Sequence, residues 1–187
     1  MFKRYLSAEL LRSRGSALQW LPLLAIPLVV MTVLFSSFAS SAKDATGVLG
    51  WQSMFITGMY APLIALFATV PEHREARTRS GGTLRRRVNP HYEQASRFLV
   101  ILTSLAAFHL LNFGVSWAVV ALQGRSNHQL LLVAGVYSFL GAIGIAGLAA
   151  ASARRCGLAA ALVAGIVWQV VSVLPVSYTH LTLPTSD

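Results

Sequence analysis

The chain has 187 residues, of which 55% are hydrophobic and 11% charged, less than half the ~25% charge of an ordinary soluble domain. Fifteen Lys and Arg against six Asp and Glu give a formal charge of +9. A nucleic-acid binder carries such charge on a mostly polar surface, whereas here it falls between long apolar runs, so no nucleic-acid partner is expected. With a mean hydropathy of +0.62, the composition points to a small all-α polytopic membrane bundle.

The N-terminal stretch, residues 1–19, has no short apolar core followed by a cleavage site and reads as part of the mature protein. Phe2, Tyr5, Leu6 and Leu10 recur at helical spacing, with Lys3, Arg4, Arg12 and Arg14 available for a polar side. That pattern predicts an amphipathic helix in the membrane interface, its cations near anionic headgroups. A basic leader that only sets topology is the alternative.

A hydrocarbon core of about 30 Å requires roughly 20 helical residues. Five runs meet or nearly meet that length: 20–39, 51–70, 98–122, 130–150 and 157–174. Pro22, Pro27 and Pro62 lie in the first two and predict kinks, because neighbouring helices in a bundle satisfy the freed carbonyls. The fourth carries Gly135, Gly141, Gly144 and Gly147, spaced to allow close helix contact. Thirteen of the fifteen basic residues fall in alternate connections. The positive-inside rule places those connections and the N-terminus in the cytoplasm of a multi-pass cell-membrane protein.

The largest polar piece is 71–97. It begins as a helical extension of the second run with Glu72 and Glu75, breaks at Gly81 and Gly82, and resumes from Thr83 to Val88 before a turn at Asn89-Pro90. A short helix lying across the membrane base at that point is open to contact by a soluble partner.

These features resemble the permease subunits of type 2 ATP-binding cassette (ABC) exporters, in particular the small bacterial permeases of lantibiotic (bacteriocin) self-protection. The matching residues are Ser7 to Arg12 before the first run, the first two runs with their short connection, and Glu72, Gly81 to Thr83 and Pro90 after the second. The resemblance implies that 71–97 is a coupling loop docking on a separate ABC ATPase subunit, with Glu72, Glu75, Gly81, Gly82, Arg85, Arg86 and Arg87 as its contact residues. It also implies a second permease copy or paralogue as partner, ATP bound by the ATPase and no cofactor on this chain. The substrate would be a peptide, drug or lipid-like molecule. The very basic Arg85 to Arg87 departs from the family pattern and suits anchoring to lipid.

Six spans are usual in that family and five are present, so the sixth is expected to be missing through truncation. The tail fits this expectation: Val176 to Thr185 resembles, codon for codon, the translation of a transposase adapter used in sequencing libraries. Residues 176–187 are therefore expected to be non-native, too polar to continue a membrane helix, and Tyr178 and His180 enter no site argument.

Chemical motifs are lacking. The sequence has no Walker-type phosphate loop, no acidic pair or His cluster within a run, and a lone cysteine, Cys156. Neither an enzyme nor a metal centre is expected. His109 and Asn112, three residues apart, predict one polar face in the third run; they would line a pathway or hydrogen-bond across helices. Gln52 and Gln169 stand under the same two readings. A non-transport membrane anchor or assembly protein is the rival of the exporter reading.

Overall fold

The structure is a computed structural model that describes residues 2–38, 45–79 and 89–181. Among the described residues it is all-helical. Helix α1 spans Phe2–Ser13, α2 Ala17–Trp20, and a 3-10 turn, Leu21–Leu24, leads into α3, Ala25–Phe38. Next come α4 (Thr46–Gly58), α5 (Tyr60–Arg79) and α6 (Pro90–His109). A π turn, Leu110–Gly114, joins α6 to α7 (Val115–Leu122), and α8 runs from Gln129 to Leu181. Three helical stretches are long and apolar enough to cross a membrane: Ala17–Phe38, His91–Leu122 and Gln129–Val173; a fourth is gained if the bent pair α4 and α5 counts as one.

The three prolines of the first two runs sit where a missing N–H costs no helical bond. Pro22 opens the 3-10 turn, and Pro27 and Pro62 lie in the first turns of α3 and α5. The run 51–70 is consequently not one helix: the chain bends by 58° between α4 and α5. Pro71 lies inside α5, which continues past it to Arg79 as the expected extension, and Pro175 lies within α8.

Helix α8 is a hairpin. Gly157 has φ 87° and ψ 175°, a region open essentially to glycine alone. Ser138 and Gln169 both meet the start of α5, at Tyr60 and Ala61. In a straight helix those two residues would stand about 46 Å apart, so the chain must double back between them. Both arms pack on α5, whose Ile64, Ala65, Phe67 and Ala68 have no exposed surface. Phe67 and Phe108 of α6 meet edge to face at 5.6 Å. Large apolar side chains point outward along α3 and α8, among them Ile26, Val30, Val163, Ile166 and Val170. A surface of this kind is stable in hydrocarbon and a liability in water.

The small-residue contact differs from the expected glycine stripe. Ala142, Ala146, Ala149 and Ala150 form the packed face of the first α8 arm, while Gly141 and Gly144 border open space. Gly135 does allow a close approach, since a Cβ there would lie 2.8 Å from that of Phe113. The expected change of character after Pro175 does not end the helix either, as α8 continues through residues 176–181.

Helix α1 is shorter than the predicted 1–19 segment. Gly15, at φ 75°, turns the chain into α2. Part of its apolar stripe packs on protein: Phe2 and Tyr5 lie against Tyr92 of α6, at ring distances of 6.2 and 5.9 Å. Leu10 and Leu11 remain exposed.

Candidate functional site in the bundle interior

The break between α4 and α5 is the centre of the site. Such a break leaves backbone carbonyls and N–H groups without helical partners, at a cost of several kcal/mol each in apolar surroundings. One side chain, Gln169 of the second α8 arm, serves both ends. Its Oε1 accepts the Ala61 N–H at 2.8 Å, and its Nε2 donates to the carbonyls of Ile56 at 3.0 Å and Thr57 at 2.6 Å. Gly165 makes this reach possible, because any Cβ there would come within 2.9 Å of the Ala65 Cβ.

Tyr60, the first residue of α5, continues the polar core. Its hydroxyl meets His109 Nε2 at 2.7 Å and also the Ser138 carbonyl, one hydrogen facing two acceptors when His109 is neutral. His109 Nδ1–H donates to the Leu105 carbonyl at 2.8 Å. Four aromatic rings surround the imidazole: Tyr60, Phe108, Phe113 and Phe139.

A second polar group adjoins it. Gln52 Nε2 lies 3.1 Å from Thr32 Oγ1, 3.3 Å from Asn112 Oδ1 and 3.4 Å from Ser116 Oγ, three acceptors for two N–H bonds. Asn112 Nδ2 returns a bond to Gln52 Oε1 at 3.0 Å. All four residues are fully buried. They tie α3, α4 and α7 to the π turn, the kind of local widening that recurs at functional sites. The structure thus brings His109 and Asn112 into one interior but gives them different partners, α5 and α8 for the first and α3 and α4 for the second.

The coupling candidates divide. Gly81, Gly82 and Arg85 to Arg87 lie outside the described residues, and Glu75 lies on α5 near its end. Glu72 is buried, with 6% of its side chain exposed. Its carboxylate accepts from Arg97 of α6 at 2.9 Å and lies 3.6 Å from Arg154 of α8. Arg97 also donates to Glu93 at 2.8 Å. A second ion pair joins Glu9 of α1 to Arg74 of α5, which also donates to the Arg12 carbonyl at 2.9 Å. At the opposite end, Arg125 is buried and donates to the Ser36 carbonyl in the last turn of α3, where a cation complements the helix dipole.

Sequence reasoning singled out Gln52, Asn112, His109 and Gln169 but missed Tyr60, Glu9 and Arg97 as members of these networks. For Glu9 a signal was present: it falls on the same helical stripe as Phe2, Tyr5 and Leu6, the side that packs inward. Among the described residues no group of three or more His, Cys, Asp or Glu is placed to hold a metal ion. No protein-family model, curated protein or solved structure matches the chain.

Proposed function

We propose that this chain is the membrane-spanning permease subunit of an ATP-driven ABC exporter. In this reading it crosses the cell membrane five times, with its N-terminus and residues 71–97 in the cytoplasm. The hairpin in α8 supports counting that helix as two spans and the bent α4–α5 pair as one. The substrate class follows the resemblance: a lantibiotic-like peptide, a drug or a lipid-like molecule.

One observation carries the proposal. Helix α5 runs from the polar break at Tyr60 through Pro71 to Arg79, so the start of the segment offered to a partner, residues 71–79, and the interior site belong to one helix. A push on residues 75–88 by a closing pair of ATPases moves this helix end on, and the bundle switches between two arrangements whose balance ATP sets. Glu75, Gly81, Gly82 and Arg85 to Arg87 remain the docking candidates. Glu72 takes a different part, because its carboxylate holds α5 to α6 and α8: it keeps the helix aligned while neighbouring residues meet the ATPase. The bond between Tyr60 and His109 and the Gln169 bridge then sit where the movement arrives.

The test is a search beside this reading frame for one with a Walker-type phosphate loop, co-expression of that product with this chain, purification through a tag on this chain, and measurement of ATP hydrolysis in membranes. The ATPase is expected to co-purify, and reversing the charges of Arg85 to Arg87 is expected to lower its recovery. An ATPase that never co-purifies in intact membranes overturns the exporter reading and leaves the membrane anchor.

A further inference from the structure

A cavity of about 420 Å³ lies between α1 and α6, lined by Arg4, Tyr5, Glu9, Arg12, Glu93 and Ser96 together with Ala8. Positions 4, 5, 8, 9 and 12 share one face of α1 at 100° per residue. Lys3 and Arg14 lie away from the cavity lining. The two acids of the cavity already have cationic partners: Glu9 pairs with Arg74 and with Arg12 at 3.7 Å, and Glu93 with Arg97. Arg4 has no acidic partner among the described residues, and Glu9 divides one charge between two guanidiniums. The lining itself holds two arginines and two glutamates, and with Arg74, Arg97 and Glu72, which pair with or beside them, the cluster holds four cations against three acids. The Tyr5 hydroxyl accepts from the Asn89 N–H at 3.3 Å, which leaves its own hydrogen to donate.

The position matches the donor set. Ser96 lies two residues before Phe98, where the apolar part of α6 begins, and exposed Leu11 borders the cavity face of α1. That boundary is the depth of bilayer phosphates, and pockets of this volume accommodate small ligand groups. We infer that the cavity is a headgroup site for an anionic phospholipid, its phosphate held by Arg4, Arg12 and the Tyr5 hydroxyl and its acyl chains lying along the apolar helices. The site goes beyond the exporter reading and holds whatever the chain transports.

The test is lipid retention by the full chain in detergent, read by native mass spectrometry against dioleoylphosphatidylglycerol and dioleoylphosphatidylcholine. The unaltered protein is expected to retain the glycerol lipid in preference to the choline lipid. Arg4→Gln, at an exposed residue with no ion pair among the described residues, is expected to lower that retention about fivefold, the worth of one basic residue near an anionic surface. The pair Lys3→Gln and Arg14→Gln removes twice the charge away from the cavity lining and is expected to lower retention less than Arg4→Gln does. Equal losses in both variants would show diffuse attraction in place of a site and overturn the proposal. Equal retention of the two lipids by the unaltered protein overturns it without any variant.

Discussion

The side-chain oxygen of Gln169 accepts the backbone N–H of Ala61 at 2.8 Å, a bond across 108 residues of sequence that supports a helix broken in the middle of the bundle. With two further bonds from the same amide, one residue of α8 holds α4 and α5 at their 58° bend.

Gln169→Leu removes all three bonds and leaves buried backbone groups without partners. A destabilisation of about 3 kcal/mol is expected, at one to three kcal/mol for each buried group left unsatisfied, with partial relaxation of the bend. Unfolding by graded denaturing detergent in mixed micelles measures it. A loss below about 0.5 kcal/mol would mean that water or another side chain serves the break.

The glycines separate by environment. Gly157→Ala forces a side chain into glycine-only backbone space and is expected to cost about 1–3 kcal/mol. Gly165→Ala drives a methyl group into Ala65 and Ala61, at a similar cost. Gly141→Ala and Gly144→Ala meet open space and are expected to be neutral or to stabilise by up to about 1 kcal/mol through helix propensity. Thermal denaturation of the four variants in one detergent gives the ranking.

Much of this architecture is legible in the sequence, and the boundary of legibility has physical causes. Apolar runs near twenty residues announce the long helices, and polar residues inside them single out Gln52, His109, Asn112 and Gln169. The break at Met59 is hidden, since residues 51–70 carry no charge and Pro62 fits both a kinked helix and the first turn of a new one. Spacing of three places His109 and Asn112 on one face only while the helix keeps 3.6 residues per turn; the π turn directly after His109 changes that phase. Arg97 counts toward topology like any other arginine. Its burial against Glu72 is decided by the packing of α5 on α6, which no local pattern expresses.

Glu72 and Arg97 are expected to behave as a coupled pair. Glu72→Ala or Arg97→Ala alone leaves a buried charge and should cost about 3–5 kcal/mol. The double change Glu72→Leu and Arg97→Met should cost clearly less than the sum of the two single losses. A double-mutant cycle on unfolding free energy checks it, with Glu93 and Arg154 unchanged. Additive losses would mean that the two residues act independently.

Cys156 is the lone cysteine and is exposed beside the Gly157 reversal. In the proposed orientation, with the N-terminus in the cytoplasm, that reversal faces the cytoplasm too. A membrane-impermeant maleimide is expected to label Cys156 in inverted vesicles at once, and in right-side-out vesicles only after permeabilisation. Immediate labelling from outside would reverse the proposed orientation.

The pair between Glu9 and Arg74 spans 65 residues, and this separation bears on the order in which the protein is made. Glu9 leaves the ribosome with only Arg12, three residues on, as a partner, and its second guanidinium arrives after α3 and α4 have been synthesised. Tyr92, on which Phe2 and Tyr5 rest, comes later still. The first helix translated is thus among the last to find its place, and α1 closes the base of the bundle only once α5 and α6 stand beside it.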